Sequence, residues 1–455
     1  MSEAAAEYTL LIVESPTLAA RLQDIAPDHI FVFATEGFLW KPQYNAAKGI
    51  LGKKAVPDKL DLRNELRREA KSAVKIVVAT DSDPSGDFIA WTIHKELKTE
   101  RILRGHLRSI SRSAISQLIR DASNIDFSTL HKRLENRFKI RSIWFDVFPQ
   151  VSMKSAGLLA LLEEAIWITD FTTDSGQVLR SNRPLEMTLR GQHIKLVRSS
   201  ETGWIHHSPL STFEVVAHIH RSWGSGSFSA AQALLQKTFE AKNPVTGEAL
   251  ITYPRTGNRS FFPGTWLELQ QKWTTKRSLN SFKPVSLRNE TPANEAHDAI
   301  RPVTLDLSPD WVLTHMPSDI GKVYRLIYSK TLSCIKMPKQ SEATFQHEKS
   351  GALFMTPSPM NNSRITVYPY LSVSELCYQL CKLGVLRPSG FGHFIDEAIK
   401  SEKITVDEQD RVYPGPDLTS AVKPRPTFSV ILTKLRTVAD HPTLSDETIR
   451  QILSS

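Results

Sequence analysis

Two short apolar runs, each stopped by an acidic residue, constrain the fold of this chain most. Residues 8–13 (YTLLIV) end in Glu14, Ser15 and Pro16, and residues 75–80 (KIVVAT) end in Asp81. Each suits a strand buried on both faces of a parallel sheet, with a carboxylate at its C-terminal end. Gly86 to Leu97 (GDFIAWTIHKEL) then reads as an amphipathic helix. Ser111 is placed to N-cap another, with Ile115, Leu118 and Ile119 on its apolar face. This α/β pattern fades near residue 125.

Beyond that point the pattern predicts helices rich in Lys and Arg over 129–165, a strand over 211–220 (STFEVVAHIH) and a Gly/Ser loop or hinge at 224–229. Helices are expected around 230–240 and 322–334, strand over 342–356, and a helical tail from 374 with proline breaks near 414 and at 424–426. No internal repeat is present. A length of 455 residues suits two to four domains.

Lys and Arg outnumber Asp and Glu by 57 to 48, a net charge of +9 that favours a polyanionic partner, nucleic acid first. Cys334, Cys377 and Cys381 are too few and too odd for a disulfide framework. Cys377 and Cys381 lie one helical turn apart without a second pair, which points to core packing rather than zinc. With no signal segment and no apolar stretch long enough to span a bilayer, a cytoplasmic, nucleoid-associated protein with no membrane partner is expected.

The candidate chemistry lies in three places. Glu14, Asp81 and Asp83 are expected to converge at the carboxyl edge of the sheet, where ligands collect in open α/β folds. Clustered carboxylates repel unless a cation sits among them, and hard oxygen donors suit Mg²⁺. The bland alternative is a solvated acidic turn. In LITYPRT (250–256), Tyr253 and Arg255 flank Pro254; a neighbouring cation favours the phenolate and steadies an attacked phosphate. In NEAHDAIRPV (294–303), a helix running to Pro302 would set His297 and Arg301 on one face. Taken singly, both are more often surface contacts than sites. No phosphate-binding G-x-x-x-x-G-K-[ST] loop occurs, since GILGKK at 49–54 has the wrong spacing.

Together these segments resemble a known family. IVESP (12–16) and VVATDSDPSGDFIAW (77–91) resemble the Toprim domain, and LITYPRT resembles the catalytic segment of type IA DNA topoisomerases, most closely the topoisomerase III branch. NEAHDAIRPV resembles that family's E-x-H-x-A-I-x-P, and LGVLRPSGFGHFI (383–395) its G-R-P-S-T/S segment along the single-strand path. The four occur in family order across residues 8–395. The resemblance implies a multidomain α/β and α+β ring. It has a Toprim domain (1–135), a split helical single-strand-binding domain (136–205 and 375–455), a split β-rich arch (206–228 and 335–374) and a tyrosine domain (229–334). It implies ATP-independent cleavage of one DNA strand through a 5′-phosphotyrosine at Tyr253, strand passage and resealing. Arg255, His297 and Arg301 would neutralise the phosphate, and Glu14 would serve as proton donor. Glu14, Asp81 and Asp83 would hold Mg²⁺, and Arg387, Ser389 and Thr256 would contact DNA. It implies a monomer acting on single-stranded segments of underwound duplex, with room for a helicase partner.

The chain also departs from the family. Leu18 stands where a lysine is usual, Ser85 where a third carboxylate is usual, and Phe38 follows Gly37 in place of histidine. Pro84 and Asp87 replace an arginine and a glutamate, SAGLLA (155–160) lacks an arginine and glutamine, and no cysteine-rich tail is present. An active but divergent topoisomerase is the first expectation. A weakened clamp that binds single strands without efficient passage is the second. A Toprim nuclease or primase would leave the tyrosine and histidine segments unexplained.

Overall fold

The computed structural model describes residues 7–81, 83–199, 204–205, 207–276, 297–335, 339–340, 343–356, 360–419, 427–441 and 444–454. It begins with β1 (Thr9–Val13), α1 (Pro16–Gln23) and β2 (Ile30–Ala34), then a hairpin of β3 (Trp40–Asn45) and β4 (Ile50–Ala55). There follow α2 (Leu60–Ser72), β5 (Lys75–Val78), α3 (Pro84–Leu97), β6 (Ile102–Arg104) and α4 (Arg112–Asp121). Strands β2, β1, β5 and β6 lie side by side in that order, all parallel. Alternation along a strand sends successive side chains to opposite faces. Leu10, Ile12, Ile76 and Val78 therefore enter one core with Phe88 and Ile89 of α3, while Leu11, Val13 and Val77 enter another. Both expected strands and both expected helices form, with Ser111 capping α4 through Ala114 N–H.

α5 (Phe127–Val147) joins the two cores: Phe127, Leu130 and Leu134 pack into the first, Ile140, Ile143 and Trp144 into the second. α6 (Met153–Glu163) follows. The expectation of helix through 136–205 is corrected from there on. β7 (Ile166–Thr173), β8 (Val178–Met187) and β9 (Ile194–Ser199) run as strands, and β10 (Trp204–Ile205) follows them. A second correction concerns 211–220, which forms α7 (Thr212–Trp223) rather than a strand. Its S-x-x-E start is a capping box: Glu214 Oε2 accepts from Ser211 N–H at 2.8 Å. Valines and isoleucine suggest a strand locally, but the cap and burial of both Val215 and Val216 against neighbouring helices decide for helix.

α8 (Phe228–Glu240), α9 (Pro263–Lys276), α10 (Pro309–His315) and α11 (Ser318–Ile335) come next. β11 (Lys339–Gln340) pairs with β10. β12 (Ala343–His347), β13 (Leu353–Thr356) and β14 (Arg364–Pro369) then close a six-stranded antiparallel barrel in the order β12-β13-β8-β7-β14-β9. The strand expected over 342–356 is thus a hairpin of that barrel. The tail holds α12 (Val373–Lys382), α13 (Phe391–Lys400), a small hairpin of β15 (Ile404–Val406) and β16 (Val412–Pro414), α14 (Pro416–Thr419), α15 (Phe428–Ala439) and α16 (Asp446–Leu453).

α5 and α6 pack against α12, α15 and α16, so one helical layer is assembled from two distant stretches. At Gly157 a Cβ would lie 2.8 Å from Leu380 and Val385, which is why α6 carries glycine where it meets α12. Cys377 is fully buried, as expected for core packing, and Cys334, Cys377 and Cys381 form no disulfide. Among the described residues, no helix is long and apolar enough to cross a membrane.

Candidate active site

The acidic turn follows directly from strand pairing. β1 and β5 are neighbours in register, Ile12 beside Val78, so Glu14 and Asp81 emerge together. Glu14 Oε1 accepts from Asp81 N–H at 3.0 Å. Asp83 N-caps α3, its Oδ1 accepting from Ser85 N–H (2.8 Å) and Gly86 N–H (2.9 Å). Gly86 is needed for close approach: a Cβ there would sit 2.0 Å from the Asp81 carbonyl oxygen. Arg104, buried at the end of β6, donates to Val78 O, Thr80 O and Asp81 O and so ties the turn from beneath. Sequence reasoning missed Arg104; a cation ending the next apolar strand was its one signal.

Tyr253 stands opposite. Its N–H donates to Arg108 O at 3.3 Å, and Thr252 N–H to Arg301 O at 2.8 Å. Thr212, at the start of α7, donates from Oγ1 to Pro254 O (2.5 Å) and accepts from Thr256 N–H (2.9 Å). The tyrosine ring lies between Phe239 (5.7 Å, edge-on) and His297 (4.5 Å between centroids, 36° apart). Its hydroxyl is buried and makes no hydrogen bond of ordinary geometry among the described residues. Burial first, then Asp81, holds the phenol well above its usual pKa despite Arg255. Arg255 does favour the phenolate, as expected, but burial and Asp81 outweigh it. Arg255 Nη1 also reaches Asp81 Oδ2 at 3.4 Å. Burial also pushes the Glu14 carboxyl up to about 7, with Asp81 adding to it.

The remaining expected residues divide. Arg387 lies just after α12, with Nη1 3.7 Å from Asp83 Oδ2. Ser389 is next to it, its carbonyl accepting from Gln232 Nε2 at 2.9 Å, which ties this loop to α8. Residues 297–302 are not helical: Ile300 and Pro302 make bridges to Leu210 and Ile251, so His297 and Arg301 are not one turn apart on a helix face. Burial pushes the His297 imidazole down to about 3, with nearby His106 and Arg108 adding to it, so in the free protein it is neutral. Arg301 donates to Pro302 O and does not line the cavity that holds the other groups. Thr256 is fully buried and bonded to Thr212, correcting the expectation of a DNA contact; it pins the tyrosine loop. Residues 294–296 of that motif lie outside the described residues.

Asp81, Asp83, Tyr253, Arg255, His297, Arg387 and Ser389 share one cavity of about 880 Å³. Its wall adds Arg137, Arg141, Lys154 and Arg436, with Phe38, Phe88, Phe138 and Phe145. Cations interleaved with aromatic faces suit a phosphate backbone carrying bases. Arg137, Arg141 and Lys154 were legible only as part of a basic helical region and Arg436 only as part of a helical tail; their convergence was not.

Mg²⁺ is commonly bound by one or two carboxylates plus substrate phosphate. Asp81 and Asp83 fit that pattern, since each turns an oxygen to the cavity and already faces a guanidinium standing in for a cation. Glu14, Asp81 and Asp83 do come together at the sheet edge, close enough for both aspartates to help raise the Glu14 carboxyl, but among the described residues no three His, Cys, Asp or Glu side chains are placed to hold one metal ion together.

Residues 9–118 match the Toprim domain model and residues 182–358 a DNA topoisomerase model. DNA topoisomerase 1 of Mycoplasmoides gallisepticum is 23% identical over 421 residues, covering 71% of this chain and 58% of the relative. That of Campylobacter jejuni is 23% identical over 388 residues, covering 73% and 55%. The chain thus spans little more than half the length of these relatives. The full-length topoisomerase I structure from Thermotoga maritima superposes with a TM-score of 0.64 at 16% identity, covering 98% of this chain and 89% of that one. Because the two models cover the acidic sheet and the tyrosine loop that this fold brings face to face, the chain belongs to the type IA DNA topoisomerase family.

Proposed function

We propose that this chain is an ATP-independent type IA topoisomerase that cuts single-stranded DNA through Tyr253, lets another strand pass and reseals the break. The observation that carries the reading is the Tyr253 hydroxyl, buried beside Asp81 and Arg255 in a cation-lined cavity, with no hydrogen bond of ordinary geometry among the described residues. A strand entering that cavity stacks on its aromatic wall and sets a phosphate beside Arg255. That guanidinium then meets the charge building on phosphorus-bound oxygen as the phenol oxygen attacks and gives up its proton to the facing Asp81 carboxylate. The P–O3′ bond breaks, leaving a 5′-phosphotyrosine and a 3′-hydroxyl. Glu14, protonated up to about pH 7, supplies the leaving oxygen's proton. His297 steers the tyrosine ring by stacking. A Mg²⁺ held by Asp81 and Asp83 would supply positive charge and an oriented phosphate for resealing. The stretch 229–334, carrying Tyr253, is the part we assign to swing away for passage. We assign the helical stretches of 136–205 and 375–455 to guide the strand, with Arg387 and Ser389 on its path. We place the tyrosine segment nearest the topoisomerase III branch on LITYPRT alone.

The experiment is relaxation of negatively supercoiled plasmid with and without Mg²⁺. Slow, Mg²⁺-dependent relaxation is expected; neither relaxation nor protein-linked DNA on a denaturing gel would overturn the reading. One observation favours the clamp alternative. Leu18, in the place of the family lysine, packs on the apolar core, and neither Arg21 nor Lys53, the cations that could take the lysine's part, lines the cavity. Arg21 donates to Glu240 O, and Lys53 pairs with Glu96. The net charge of +9 leads to a further expectation. Affinity for a single-stranded oligonucleotide should exceed that for blunt duplex and fall with salt, with a slope of roughly −0.7 per phosphate contacted. Filter binding across a salt series measures it; a flat series would count against strand binding in the cavity.

A further inference from the structure

We propose that Arg255 and Arg387 plug the metal position of the acidic turn, so that a divalent cation joins Asp81 and Asp83 only after a DNA phosphate has drawn the guanidiniums away. The inference rests on the single-strand reading above and orders its events: strand first, metal second.

The geometry is that of an exchangeable plug. Arg255 comes from the tyrosine loop and Arg387 from the loop after α12, and their tips stand 3.4 Å and 3.7 Å from Asp81 Oδ2 and Asp83 Oδ2. Asp83 Oδ1 is occupied by two backbone N–H groups, which leaves Oδ2, the oxygen faced by Arg387, for any cation. Glu14 Oε1 is likewise engaged by Asp81 N–H. A guanidinium and a divalent ion repel each other at one carboxylate, so the free protein is a poor metal site. Both arginine side chains are nearly half exposed, at 41% and 45%, so these pairs are weak and open to competition. A phosphate offers the planar guanidinium a doubly charged-assisted, two-pronged partner that a single carboxylate oxygen does not. Once it takes the arginines, two carboxylate oxygens come free beside a phosphate oxygen, which is the mixed donor set that Mg²⁺ accepts.

The test is Mn²⁺ binding to the full chain, read from loss of the free-ion electron spin resonance signal. Four samples are compared: the parent alone, Arg387→Ala alone, and each with a single-stranded oligonucleotide. Mn²⁺ held by the DNA itself is subtracted with Asp81→Asn/Asp83→Asn. We expect Arg387→Ala to bind Mn²⁺ about threefold to tenfold more tightly than the parent without DNA, the scale of one half-exposed ion pair. The oligonucleotide should raise the parent's affinity and change that of Arg387→Ala less. Equal affinity in parent and variant, or a parent indifferent to the oligonucleotide, would overturn the plug. Arg387→Gln repeats the comparison if the alanine variant does not fold, and the parent's two samples need no variant. A chain that gains Mn²⁺ affinity with DNA but never attaches to it would sink the cleavage reading and leave the plug standing. One that attaches to DNA yet binds Mn²⁺ equally with and without it would sink the plug alone.

Discussion

Replacing Tyr253 by phenylalanine should abolish covalent attachment to DNA, a loss of at least about 10⁴-fold, as expected when a nucleophile is removed, while leaving folding and strand binding intact. The ring would keep its place between Phe239 and His297, because both contacts are made by its faces and edge. Only the hydroxyl is lost, and it has no hydrogen-bond partner of ordinary geometry to strand. Deleting a buried polar group without a partner is neutral or mildly stabilising. The substitution therefore separates chemistry from structure unusually well. A single strand labelled at its 3′ end would carry the label into a protein-sized band on a denaturing gel with the parent, and not with the variant. Attachment persisting in Tyr253→Phe would remove this residue from the chemistry.

Replacing Arg259 by leucine should destabilise the protein by about 3–5 kcal/mol near neutral pH, the range for removing one partner of a buried ion cluster. Arg259, six residues after the tyrosine, reaches back to Glu214 of α7 and to Glu375 of α12, the latter at 2.6 Å. Its guanidinium also lies 3.8 Å from the centre of the Tyr378 ring. It thus joins the tyrosine loop to two helices through charge that is shielded from water. Burial alone would raise the Glu375 carboxyl; Arg259, with Gln379, outweighs that and holds it below the usual carboxylate range. A depressed carboxylate contributes stability that is present above its unfolded pKa, about 4.3, and lost as pH falls through the folded value. In the leucine variant burial acts unopposed, so Glu375 should be raised and the folded state should gain by taking up a proton. The gap between parent and variant should therefore be widest near pH 7–8 and shrink toward pH 5. Urea unfolding followed by tryptophan fluorescence at these pH values measures it. A variant as stable as the parent at pH 7 would show that the cluster contributes nothing net.

What the sequence determined by itself is what short-range physics can carry. The apolar runs ending at Glu14 and Asp81 gave two adjacent parallel strands, because an uninterrupted buried run has few other places to go. Ser111 capped its helix as written, since a cap is satisfied within one turn. The motif order was enough to indicate the family. Local signals failed where a distant partner decided. Residues 211–220 have the composition of a strand, yet α7 forms because its capping box and its burial against α8 and α12 agree on helix. Residues 166–199 and 343–369 become one barrel only because strands far apart in the chain pair with each other. His297 and Arg301 are separated because Ile300 and Pro302 bridge to Leu210 and Ile251, which no helical spacing can foretell. The arginines on the two aspartates are of the same kind: Arg255 and Arg387 lie 174 and 304 residues from the acids they face (255 − 81 and 387 − 83). Spacing along a chain fixes which groups share a strand or a turn. Which groups share a charge is set by tertiary packing, because electrostatic interaction and burial depend on distance through space alone.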